Sequence, residues 1–213
     1  MNKKNAVQKS SWASSRASFH HGDLKAELVA AAKKMVQKDG AENLSLRGVA
    51  RAAGVSEAAP YNHFSDKNAL LAEVAASGFR DLQAKIAKED SSKKSKLNAI
   101  DNSGVAYVEF AVENPALFRL MFGKLRGGMD AQSSNLKTQS KAIYNDLEMR
   151  SQDHNNVKGK DTSPNRKKDI GALRDWVQAH GLALLLIDRG IKPTDYGLKD
   201  VRKLVEAVFN DSG

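Results

Sequence analysis

The chain has no cysteine, which excludes disulfides and thiolate metal sites and is compatible with a reducing compartment. It has only four prolines and no runs of alternating apolar and polar residues, so it reads as nearly all helix. No apolar stretch approaches the ~18 residues of a membrane span; the longest, Leu182 to Ile187, is six residues. The N-terminus is charged with no apolar segment after it, so a signal peptide is not expected and the expected location is the cytoplasm. Nucleophile motifs, phosphate loops and metal-ligand spacings are missing as well. The adjacent His20 and His21 would diverge by about 100° on a helix, a poor metal pair. Enzymatic activity, a cofactor and a metal site are therefore not expected.

What is present is positive charge. Lys and Arg total 34 against 25 Asp and Glu, a formal net charge of +9, which suits a polyanionic partner. Residues 1–70 carry 11 basic and 6 acidic side chains, and residues 71–213 carry 23 and 19. The excess is densest in the first third. With 213 residues the chain can form a small module and a larger helical domain. Residues 1–18, with Lys3, Lys4, Lys9 and Arg16 and no acid, read as a disordered basic arm. It is either a solvated tail or an extra contact to phosphates or a minor groove.

The informative stretch runs from Leu44 to Leu70. Ser45 is a good N-cap, and Leu46, Val49 and Ala50 form an apolar face at helical spacing. Gly54, in Ala53-Gly54-Val55, can take the positive φ that ends a helix. Ser56 then caps a second helix, and a third begins at a Ser65 cap. This is the construction of a helix-turn-helix, whose second helix lies in the DNA major groove. Ser45-Leu46-Arg47-Gly48-Val49-Ala50, Ala53-Gly54-Val55-Ser56 and Tyr61, His63, Phe64 and Lys67 resemble the DNA-binding domain of the TetR (tetracycline-repressor) family. The resemblance covers about residues 19 to 75, from Phe19-His20-His21-Gly22. Trp176, His180 and Gly181 resemble the Trp-x-x-x-His-Gly signature of one C-terminal class in that family. The segment from Tyr107 to Phe118 resembles the same class.

The first turn of the recognition helix would be Ser56, Glu57, Ala58 and Ala59, facing base edges. Glu57 could accept from a cytosine amino group, and Ala58 or Ala59 could touch a thymine methyl. Arg47 is the candidate for a bidentate guanine contact, or else a phosphate or surface charge. The resemblance implies phosphate contacts from Tyr61, His63 and Lys67, with Asn62 among the DNA-facing residues. His63 has a second reading, as an orienting core residue. Pro60 departs from the family, where an aliphatic residue usually precedes the Tyr; it fits only near a helix start.

The rest of the chain reads as a series of helices, about nine in all. Helix 1 covers about 22–38 and stops at Gly40. The helix from Ser65 reaches about residue 88, and 89–96 is a loop. Further helices cover about 97–113, then up to Phe122 after the Asn114-Pro115 break, and 135–150. Residues 151–165 read as an exposed loop. A helix from about 166 and another over about 198–208 carry a/d-like apolar seams. The domains are a helix-turn-helix over 19–75 and a helical ligand-binding and dimerisation domain over 76–213.

The paired seams suit either a four-helix interface with a second chain or an intramolecular hairpin. The resemblance favours the homodimer, through Leu173, Val177, Leu184, Ile187, Val201, Val205 and Val208. Tyr107, Phe110, Phe118, Met121, Trp176 and His180 could wall an effector pocket, though a Met and aromatic stripe also makes plain core. An inward-facing Glu109 or Glu113 would favour a cationic ligand, since a buried carboxylate needs a partner. Gly181 suggests close approach of another helix. The expected protein is a homodimeric regulator that binds operator duplex DNA and is released by a small molecule. The alternative is a sequestering or helical interaction protein that has lost specific DNA binding.

Overall fold

The structure is a computed structural model that describes residues 23–91, 99–123, 129, 133–154 and 170–210. Among these residues it is all-helical. The expected basic arm, most of the 89–96 loop and most of the 151–165 loop lie outside the described residues.

α1 (Leu24–Asp39) is capped by Asp23, whose carboxylate accepts from Ala26 N–H at 3.0 Å. It ends at Gly40, which has φ 83°. Its stripe of Leu28, Ala32 and Val36 is buried. α2 (Leu46–Ala52) starts where expected, with the Ser45 hydroxyl accepting from Gly48 N–H at 3.1 Å. Gly54 has φ 71°, the left-handed conformation the turn requires.

The second helix of the motif differs from expectation. Ser56, Glu57 and Ala58 form a turn, and Ala59–Asn62 is a single 3₁₀ segment rather than an α-helix. Pro60 lies near its start and is buried. A proline ring fits there because no intrahelical partner is lost. α3 (Lys67–Asp90) is capped by Asp66, not Ser65: the Asp66 carboxylate accepts from Ala69 N–H at 2.9 Å. An ionised carboxylate is the stronger acceptor at a helix N-terminus.

α3 has 24 residues, so it spans about 36 Å. Its buried side chains run from Leu70 to Ile86. They join Val49 and Phe64 at one end to Val105, Val108, Leu117 and Phe118 at the other, in one continuous core. α4 (Ala99–Glu113) packs on α3, and α5 (Pro115–Phe122) packs on α1 and α3. α6 (Ser134–His154) runs four residues past the expected end at 150. α7 (Ile170–Ile187) and α8 (Val201–Asn210) both pack on α4, with a 3₁₀ turn over Pro193–Tyr196 between them. Gly104 of α4 lies close under α8: a Cβ there would lie 2.8 Å from the Phe209 ring.

Arg202 pins α8 to the far end of α3. Its guanidinium pairs with both carboxylate oxygens of Glu89, at 2.7 and 3.0 Å, and with Glu109 at 3.1 Å. The hydrogen bonds from Arg202 hold the Glu89 carboxyl below the usual carboxylate range, against the opposing effect of burial. At the near end, Glu73 of α3 accepts from Asn135 Nδ2 at 2.7 Å and Ser133 Oγ at 3.3 Å. Lys25 of α1 lies 3.7 Å from the same carboxylate.

Candidate nucleic-acid interface and ligand groove

The head presents its polar residues around a hydrophobic anchor. Pro60 and Phe64 are buried, while Tyr61, Asn62 and His63 between them are exposed. The 3₁₀ turn produces this split: the Phe64 N–H bonds back to Pro60 O at 2.9 Å and holds the turn closed on its two apolar ends. His63 is therefore not a core residue. Ser56, Glu57 and Ala58 are exposed, and Ala59 and Lys67 are half-buried. The Lys67 ammonium donates to Glu42 O at 2.6 Å, across the opening of α3.

Arg47 points out from α2, but not freely. Its Nε is 3.7 Å from Glu57, and Arg51 Nη1 is 3.2 Å from the other oxygen of the same carboxylate. Arg51 was not among the sequence candidates. It stands four residues after Arg47, on the same face of α2, and that spacing was the available signal.

The expected pocket residues mostly pack on one another. Tyr107, Phe118 and Met121 are fully buried, and Phe110 nearly so. The Tyr107 hydroxyl is 2.8 Å from His180 Nδ1, and Trp176 Nε1 donates to that hydroxyl at 3.4 Å. The Phe118 and Phe122 rings lie 5.5 and 5.1 Å from the His180 ring. Burial pushes the Tyr107 phenol up, only partly offset by the Trp176 hydrogen bond, and it pushes the His180 imidazole down. Both shifts favour the uncharged forms, a phenol beside an imidazole. The space beside Tyr107 and Trp176, toward Phe209, is about 10 Å³, enough for one water at most.

A larger cavity, about 520 Å³, opens between α6 and α7. Tyr144, Leu147, Ile170 and Leu173 line it together with Trp176, the one residue it shares with the expected set. Tyr144 and Trp176 meet edge to face at 5.3 Å. Lys141 and Glu148 are also on its wall. Neither Glu109 nor Glu113 is free to select a cationic ligand: Lys85 pairs with Glu113 at 2.8 Å and lies 3.6 Å from Glu109, which Arg202 also holds. Among the described residues, no group of three or more His, Asp and Glu is placed to hold a metal ion.

The expected interface residues divide in two. Leu173, Val177, Leu184 and Val208 are exposed in the single chain, and so are Ile170 and Leu185. Val205 is fully buried, and Ile187 and Val201 are half-buried against the core. Ile187 faces inward at the end of α7, and Val201 and Val205 do so because α8 lies on α4, so part of the apolar side of α8 is used within the chain. Gly181 sits among the exposed residues of α7 with nothing within 4 Å of where a Cβ would be.

This is a helix-turn-helix head, with outward-facing cations, carried on an all-helical body. Over residues 28–74, the chain matches the profile of bacterial regulatory proteins of the tetR family. It is 30% identical over 91 residues to the uncharacterised HTH-type transcriptional regulator YobS of Bacillus subtilis. That alignment spans 43% of this chain and about half (47%) of YobS. A Rhodococcus structure of unknown function is similar over nearly the whole length: TM-score 0.71 and 30% identity, covering 92% of this chain and 96% of that one. A TetR family transcription regulator from Marinobacter aquaeolei has the same fold, with TM-score 0.58 and 16% identity over 87% of this chain and 91% of its own. No helix among the described residues is long and apolar enough to cross a membrane.

Proposed function

We propose that the protein is a ligand-responsive repressor that binds operator DNA as a homodimer and is released by a small molecule. The DNA half of this reading rests on the exposed set Arg47, Tyr61, Asn62 and His63 around the buried Pro60 and Phe64. Tyr61, His63 and Lys67 hold phosphates, while Arg47 reaches a base edge. The division between DNA-binding and effector domains falls near residue 75, inside α3. Tilting of that shared helix would then alter the spacing of the two heads. Paired heads must reach major grooves about 34 Å apart, so a small tilt loses one half-site.

The dimer forms through the outer face of α7, where Ile170, Leu173, Val177, Leu184 and Leu185 are left in water by the single chain. Gly181 in that face leaves room for a second helix to approach. The C-terminal domain is of the Trp-His-Gly class, a reading supported by the joint contact of Trp176 and His180 with Tyr107. The effector occupies the cavity between α6 and α7. It is a mostly apolar molecule that packs on Tyr144 and Trp176, and the cavity is of the size that takes drug-like ligands.

A gel shift of the purified chain on genomic fragments, over a range of salt, tests the reading. Expected are a few strongly retarded fragments, with Arg47→Ala relaxing the preference at one base pair by about 1–3 kcal/mol. Retardation of no fragment at low salt would make the chain a sequestering or interaction protein instead.

A further inference from the structure

Glu57 is the single acid at the opening of the recognition turn, and it lies between two cations of the preceding helix. Its two oxygens are 3.2 Å from Arg51 Nη1 and 3.7 Å from Arg47 Nε. All three side chains are more than half exposed. No core contact demands this arrangement, and exposed pairs of this kind add little to stability. Its consequence lies in binding.

Duplex DNA presents phosphates along its flanks and mostly acceptors on its base edges. A carboxylate at the tip of the head is repelled by both. Cytosine is the base to which an acidic side chain is matched, because its exocyclic amino group donates into the major groove. Off such a site, Glu57 keeps Arg47 and Arg51 to itself and subtracts from their attraction to phosphate. On such a site, the cytosine amino group satisfies the carboxylate, and the arginines are released to guanine or phosphate.

We propose that Glu57 is the specificity-determining residue of this head: it withholds the Arg47–Arg51 pair from DNA unless a cytosine amino group takes its carboxylate. This rests on the DNA-binding reading above and deepens it. The device suppresses random binding rather than strengthening cognate binding. It also accounts for a recognition turn that has no Arg or Gln of its own in its first residues.

The test uses the full chain and its Glu57→Gln and Glu57→Asp variants. Each is offered a duplex selected by the wild type from a random pool, and a random duplex of equal length, across a salt series. In Glu57→Gln the random-duplex affinity should rise at least tenfold, while the selected-duplex affinity changes less. The salt slope on random DNA should steepen by about 0.9 for each arginine released. That steepening should shrink in Glu57→Gln with Arg51→Ala. Glu57→Asp, which keeps the charge, should stay close to the wild type in salt slope. Replacing the C·G pair opposite Glu57 with T·A should weaken the wild type tenfold and leave Glu57→Gln nearly unchanged. If the wild type selects a sequence but Glu57→Gln keeps its random affinity, slope and base preference, the role of Glu57 is wrong and the regulator reading stands. If the wild type binds no duplex, the regulator reading fails, and this inference fails with it.

Discussion

The Tyr107 hydroxyl lies 2.8 Å from His180 Nδ1, and this contact joins α4 to α7 across a cluster of aromatic rings. Trp176 donates to the same oxygen from one turn earlier on α7. Tyr107→Phe should remove the hydroxyl that both groups contact and leave the imidazole and the indole short of a partner. The expected loss is about 1–3 kcal/mol, read by urea denaturation and accompanied by a change in tryptophan emission. An unchanged midpoint would mean that the contact is incidental.

The same imidazole sets a pH dependence. Burial lowers the His180 pKa in the folded state, so the unfolded chain binds its proton first. Stability is therefore highest above the free histidine value, about 6.5. It should fall as the pH drops from there through the folded value, then level off. Replacing His180 with Gln should flatten this limb, measured as melting temperature between pH 7.5 and pH 5.

Arg202→Met should leave Glu89 and Glu109 facing each other at the junction of α3, α4 and α8. Arg202 is partly exposed, which screens the pairs, so the expected cost is about 1–2 kcal/mol at neutral pH. The Glu89 carboxyl is held low in the folded state. The stability from its pair is present above the ordinary carboxylate range and is lost as the pH falls through the folded value. Wild type and variant should therefore converge in acid. A constant gap down to pH 3 would show that the variant loses packing rather than charge.

Leu184→Glu should yield a folded monomer, because it places a charge on the exposed α7 face through which the dimer is proposed to form. Val205→Glu should instead unfold the chain, since Val205 is fully buried within a single subunit. Light scattering with circular dichroism distinguishes the two outcomes. A wild type that is monomeric at micromolar concentration would remove the dimer altogether.

Lys67→Ala should weaken binding to every duplex alike and make the salt slope shallower by about 0.9, one phosphate contact. Its ammonium also bonds to Glu42 O, so a small stability loss should accompany the change. A base-specific effect would contradict a phosphate role.

The helical class, the Ser45 cap, the left-handed Gly54 and the Asn114-Pro115 break were all legible in the sequence, because each depends on a few neighbouring residues. Local chemistry also placed Arg47, Tyr61 and His63 on the head. The short 3₁₀ form of the recognition turn was not legible: Ser56 looks like a cap in any reading, and only packing of Pro60 and Phe64 into the core closes the turn early. Nor could spacing tell an outward seam from an inward one. Val205 and Val208 sit on one apolar stripe, yet the first is buried on α4 and the second is exposed, because periodicity gives a face without naming what covers it. The aromatic and sulfur side chains of α4 and α5 could equally have lined a cavity or filled a core. Tertiary structure decided for the core, since Tyr107, Phe118 and His180 satisfy one another's polar and ring contacts. The open space fell instead between α6 and α7, beside Trp176, where two helices distant in sequence from α4 happen to part.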